Sequence, residues 1–94
     1  MDTALAFNII ESTSKECDYT ILKKTQKTLE ISLSREQHTV IHFIEVYNND
    51  WIKVSFNATG DKSAAMYSLR SITDVILYTQ TLITAYDIRS KRQE

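Results

Sequence analysis

Two segments of the sequence alternate between apolar and polar residues, and this pattern constrains the fold more than any other feature. Successive side chains of a β-strand point to opposite faces, so such a segment forms a strand with one buried face. The apolar positions are Leu29, Ile31 and Leu33 in residues 27–34, and Ile52, Val54 and Phe56 in residues 51–58. The chain is therefore predicted to contain at least two half-buried strands.

Two further segments complete a predicted antiparallel meander. Residues 38–48 are dense in β-branched and aromatic residues, and residues 18–24 carry three more large apolar side chains. Polar breaks at 35–37 and 48–50 predict tight turns. Asn and Asp tolerate the positive φ that such turns require, which matters in a sequence with one glycine and no proline.

The turn lengths predict which residues share a face, because a shift of one residue moves every side chain to the opposite face. A two-residue turn within 48–50 and a three-residue turn at 35–37 place Ile41 and Phe43 on the core face and set Ile31 opposite Ile41. Half of the side chains on the second face of the sheet are then apolar: the face presents Val40, Ile44, Val46 and Trp51 among His42, Lys53, Ser55 and Asn57.

The two ends of the chain carry different patterns. Residues 3–12 are compatible with an edge strand or a helix, and we favour the strand. Residues 64–89 contain no helix breaker and carry an apolar stripe at helical spacing, which predicts one long helix capped by Asp61 or Ser63. We expect a single α+β domain over 1–94, an antiparallel meander of four to five strands with one long C-terminal helix packed on one face.

Composition argues against several classes of function. The sequence has 11 basic and 12 acidic residues, whereas a nucleic-acid-binding domain is usually clearly basic. Cys17 is the single cysteine, and its thiol suits a reducing, cytoplasmic setting. His38 and His42 would lie about 13 Å apart along a strand, too far to share a metal ion. We find no catalytic motif, cofactor motif, signal peptide or membrane span, and expect no enzyme and no membrane association.

The second face of the sheet is more apolar than a solvated face normally is, so we expect another part of the chain or a partner to cover it. One interpretation is that the N-terminal segment folds over it with Leu5, Phe7 or Ile9. The other is that a protein partner or a second copy of the chain binds there, with Trp51 as the main anchor, since buried aromatic residues dominate binding energy.

The predicted helix offers a second surface, because Met66, Leu77 and Ile88 lie off its main apolar stripe. One interpretation is that these residues contact a second copy in a symmetric dimer, and the other is that the helix packs under the N-terminal segment. The leading hypothesis is a small protein-interaction module that binds and inhibits or regulates another macromolecule as a homodimer. The alternative is a single-stranded nucleic-acid-binding protein whose outer sheet face stacks bases on Trp51.

Overall fold

The computed structural model describes residues 1–35, 38–58 and 65–92 of the chain. These residues form one antiparallel sheet with strand order β1-β2-β3-β4-β5 and two helices. The elements in chain order are α1 (Thr3–Glu16), β1 (Thr20–Lys24), β2 (Thr28–Arg35), β3 (His38–Tyr47), β4 (Trp51–Ala58), β5 (Ala65–Leu69) and α2 (Ile72–Arg92). The predicted α+β fold, a meander with a C-terminal helix, is confirmed.

The N-terminal segment is helix α1, so the preference for an edge strand was wrong. Asp2 caps the helix, because its carboxylate accepts a hydrogen bond from the backbone N–H of Leu5 at 3.0 Å. The side chains that α1 buries recur at helical spacing, and they include Ser14, whose hydroxyl donates to the carbonyl of Ile10 at 2.8 Å. The apolar members of this buried face are Ala6, Phe7 and Ile10. Because the buried side of α1 also includes small and polar residues, its helical period does not appear as a pattern of large apolar residues in the sequence.

Both helices pack on the same face of the sheet, and the core lies between them and the strands. Phe7 and Ile10 come from α1, and Val75 and Leu82 come from α2. Among the described side chains, the strands contribute five that are fully buried, Leu29, Ile31, Ile44, Ile52 and Val54. The N-terminal segment therefore covers the core face and leaves the second face of the sheet open.

Two polar contacts connect the helices to strand β1 and the residue just before it. The hydroxyl of Tyr19, just before β1, donates to the carbonyl of Leu82 in α2 at 2.7 Å. Lys24 of β1 lies 2.6 Å from a carboxylate oxygen of Glu11, a largely buried residue of α1. The hydrogen bond from Lys24 holds the pKa of Glu11 below its ordinary value.

The predicted strand register was wrong at both turns of the meander. Arg35 pairs with His38, so two residues rather than three connect β2 and β3. Tyr47 pairs with Trp51, so three residues rather than two connect β3 and β4. The backbone N–H of Asp50 donates to the carbonyl of Tyr47 at 2.9 Å to close the second turn. The two errors cancel for β4, which buries Ile52 and Val54 as expected, but they invert the faces of β3.

The predicted single helix over 64–89 divides into β5 and α2. In β5, Tyr67 and Leu69 pair with core-face residues of β4, and this pairing outweighs the helical pattern. Ser71 caps the N-terminus of α2, since its hydroxyl accepts from the N–H of Asp74 at 3.2 Å, and the Asp74 carboxylate accepts from the N–H of Arg70 at 2.9 Å. The predicted caps at Asp61 and Ser63 lie outside the described residues.

Neither helix in the described part of the chain has the length and hydrophobicity to cross a membrane.

Candidate functional site

The face of the sheet opposite the helices is the candidate site, and we call it the open face. Cross-strand pairs fix its members: Glu30 pairs with Phe43, Glu45 with Lys53, and Tyr47 with Trp51. Each of these residues alternates along its strand with a residue of the core face. The open face comprises Lys23, Glu30, Ile41, Phe43, Glu45, Tyr47, Trp51 and Lys53, with Arg70 directly after β5.

An aromatic and cationic cluster occupies one end of the open face. The Tyr47 and Trp51 rings stack with their centroids 5.1 Å apart, because the three-residue turn between them brings the two strand ends side by side. The Arg70 guanidinium lies 4.5 Å from the centroid of the Trp51 ring, and the Lys53 ammonium lies 5.6 Å from that of Tyr47. Cation–π contacts of this kind are worth about 0.5–1 kcal/mol each at exposed sites. Tyr47 is 36% exposed and Trp51 and Lys53 are half-buried, so the cluster is partly accessible to a partner.

The rest of the open face carries both signs of charge in a regular arrangement. Lys23 lies opposite Glu30, and Glu45 lies opposite Lys53 on the neighbouring strand. A shallow hollow of about 350 Å³ is lined by Phe43 together with Lys23, Glu30 and Glu45. Since acidic and basic groups face each other across the strands, the open face as a whole has no strong field of one sign.

Beneath the other face, His42 and Tyr78 form a buried polar pair. The His42 Nδ1 lies 2.7 Å from the Tyr78 hydroxyl, and the two residues are only 7% and 3% exposed. Burial lowers the pKa of His42 from 6.5 to about 4 and raises the pKa of Tyr78 above its ordinary value. The imidazole is thus neutral at pH 7 and sealed from solvent by Phe56, which stacks on it at 5.0 Å. The geometry suits a structural pair, because both side chains are almost fully buried.

No other described group brings reactive side chains together. Within residues 1–35, 38–58 and 65–92, no three or more His, Cys, Asp or Glu residues could hold a metal ion. Cys17 is buried at the end of α1. His42 lies on the core face, and the side chain of His38 is outside the described part of the structure.

The structure separates the residues predicted to form the partner surface. Trp51 and Lys53 lie on the open face, as expected. Val40, Ile44 and Val46 pair with core-face residues, so their placement beside Trp51 was wrong. Ile44 is fully buried. The physical reason is the inverted register of β3, whose apolar residues occupy both faces and therefore do not identify the buried one.

The residues predicted to form a helical dimer surface are also divided. Leu77 and Ile88 lie on α2 and are 62% and 42% exposed. Met66 belongs to β5 rather than to the helix, and its side chain is not among those described. Sequence reasoning missed Phe43, Tyr47 and Arg70 as members of the open face. Aromatic residues at alternate positions of β3 were the available signal for the first two, whereas Arg70 was hidden inside the predicted helix.

Comparisons with protein-family models, with curated proteins and with solved structures find no match. The candidate function therefore rests on the geometry and chemistry of the open face.

Proposed function

We propose that the chain is a small non-enzymatic protein-interaction module that binds a protein partner through the open face and thereby inhibits or regulates it. The observation that carries this proposal is the cluster of Tyr47, Trp51, Lys53 and Arg70 on a sheet face over which neither described helix packs. Tyr, Trp and Arg are the residues most enriched where truncation weakens protein complexes. Their stacking also fixes their rotamers before binding, which reduces the entropy lost on association.

The charges of the open face indicate the chemistry of the partner. Cross-strand pairing sets Lys23 against Glu30 and Glu45 against Lys53, so the surface suits a partner with an apolar centre and side chains of both signs around it. A protein surface meets this description. Residues Ile41 and Phe43 extend the apolar area from the aromatic cluster toward the middle of the sheet.

The second candidate function is binding of single-stranded nucleic acid. The cations over the Trp51 and Tyr47 rings favour it, because exposed aromatic rings beside Arg and Lys stack bases and contact phosphates. Two carboxylates, Glu30 and Glu45, share the same face and would repel a phosphate backbone. This charge arrangement makes the protein partner the better match.

A photocrosslinking experiment in the native host tests where the partner binds. A photoreactive phenylalanine analogue at Phe43 samples the open face, and the same analogue at Gln80, an exposed residue of α2, samples the helical side. We expect one protein other than a second copy of the chain to crosslink from Phe43 and not from Gln80. Crosslinking that is equal from both positions, or absent from Phe43, would overturn the proposal.

Binding of the identified partner to purified chain then tests the cluster. Trp51→Ala and Arg70→Ala should each raise Kd by roughly 10-fold or more, whereas the matched control Gln80→Ala should leave it within about twofold. Circular dichroism verifies that each variant is folded. An oligonucleotide titration followed by Trp51 fluorescence tests the alternative: quenching that falls steeply with salt, without a protein partner, would replace the proposed function.

A further inference from the structure

The two edges of the sheet are built differently. Edge strand β1 ends in Lys23 and Lys24, and its pairing with β2 shifts between Ile21 and Lys23. Lysines and bulges on an edge strand hinder pairing with another strand. Edge strand β5 has neither feature, because its sequence, AMYSL, is uncharged and its register against β4 is unbroken from Ala65 to Leu69. Among the described residues, only the β1 edge carries features that hinder strand addition.

The molecule also exposes large apolar side chains beside the β5 edge. A cleft of about 250 Å³ between β5 and α2 is lined by Tyr67, Leu69, Leu77 and Tyr78. Leu77 is 62% exposed and Tyr67 is 43% exposed. Ile88 follows Leu77 by 11 residues, close to three helical turns, so it extends the same side of α2. An unprotected strand edge and an exposed apolar helix side therefore lie next to each other.

We propose that a second copy of the chain binds at this edge, with the two β5 strands pairing antiparallel across a two-fold axis. A two-fold interface uses the same patch on both copies, so the patch must tolerate itself. Strand β5 meets this condition because it carries no charge that its own copy would repel. In a pair centred on Tyr67, Ala65 of one copy lies opposite the partner's Leu69. The result is a continuous ten-stranded sheet in which each α2 lies beside the other.

The residues predicted from the sequence to form a dimer surface divide between the strand and the helix of this interface. Met66 lies on β5 itself, and Leu77 and Ile88 lie on the helix beside it. Main-chain hydrogen bonds between the strands supply affinity, and the apolar helix sides bury the surface that each copy exposes. The dimer does not depend on the proposed function, because the aromatic cluster on the open face takes no part in β5 pairing.

Matched variants on α2 test the interface. Leu77 and its neighbour Ile76 are 62% and 49% exposed, but they point to different sides of the helix. We expect the wild-type chain, of 10.9 kDa, to sediment as a dimer. Leu77→Glu should raise the dimer Kd by roughly 10-fold or more, and Ile76→Glu should leave it within about twofold. A monomeric wild type at about 1 mM, or equal effects of the two variants, would overturn the proposal.

Hydrogen exchange tests the strand pairing directly. Dilution from dimer to monomer should accelerate exchange of alternate backbone amides in β5 and leave those of β1 unchanged. A dimer whose β5 amides exchange equally fast in both states would exclude the β5 pair. Trp51→Ala should stay dimeric, so failure of the proposed function and failure of this interface give different results.

Discussion

Buried His42 should make the stability of the fold depend on pH between about 4 and 6.5. Its imidazole contacts Tyr78 through Nδ1 at 2.7 Å and stacks on Phe56, and burial lowers its pKa from 6.5 to about 4. In the unfolded chain the imidazole is solvated and has its ordinary pKa. Between these two pKa values the unfolded state binds more protons than the folded state, so protons favour unfolding.

The magnitude follows from the two pKa values of His42. The contribution is fully present above the unfolded pKa of 6.5, and it is lost progressively as the pH falls toward about 4. At 1.36 kcal/mol per pH unit, the difference corresponds to about 3 kcal/mol of unfolding free energy. Glu11, whose pKa is lowered by Lys24, acts in the same direction, but mainly below its ordinary value of 4.5. The loss between pH 6.5 and 5 therefore reports chiefly on His42.

Urea unfolding followed by circular dichroism at pH 7.5, 6.5, 5.5 and 5.0 measures this loss. His42→Gln keeps an amide that can bond to the Tyr78 hydroxyl, but it cannot titrate. We expect this variant to be less stable at pH 7.5 and nearly independent of pH down to 5. Equal pH slopes for wild type and His42→Gln would refute the reasoning.

Three further predictions concern the core and the polar contacts beside it. Leu82→Ala removes a fully buried side chain and should lower the unfolding free energy by about 2–5 kcal/mol in urea titrations. Tyr19→Phe removes the hydroxyl that donates to the carbonyl of Leu82, so we expect a loss of about 0.5–1.5 kcal/mol in the same assay, and an unchanged midpoint would contradict the hydrogen bond. Lys24→Met leaves Glu11 with Lys15 alone at 3.4 Å, and the carboxyl pKa measured by NMR titration should rise.

The strands in which apolar and polar residues alternate were predicted correctly, whereas the elements without this alternation were not. Strand β4 has the predicted bounds, because Ile52, Val54 and Phe56 all lie on its core face and alternate with other residues. Strand β3 carries Ile41 and Phe43 on one face and Ile44 and Val46 on the other, so hydrophobicity could not identify the buried face. His42, a polar residue, also lies on the buried face of β3, which obscures the hydrophobic pattern further. Its core position depends on the Tyr78 hydroxyl, 36 residues away in the chain, which no local pattern reveals.

The candidate site was predicted only where it depends on one strand. Trp51 and Lys53 lie on the same face by simple alternation, and the sequence placed them there. Their neighbours depend on turn lengths and on β5, and both turn lengths were wrong by one residue. Arg70 reaches Trp51 only because β5 pairs with β4 and ends beside it. This contact requires tertiary pairing that periodicity does not encode.

The packing of α1 against α2 has a consequence for how the chain folds as it is synthesised. Tyr19 bonds to Leu82 across 63 residues, and α1 buries Phe7 and Ile10 in a core that α2 completes. At translation rates of 5–20 residues per second, roughly 3–13 s separate the emergence of these two residues. Throughout that interval the apolar side of α1 has no complete core to enter. The nascent chain is therefore most exposed to chaperones and proteases until Leu82 leaves the ribosome.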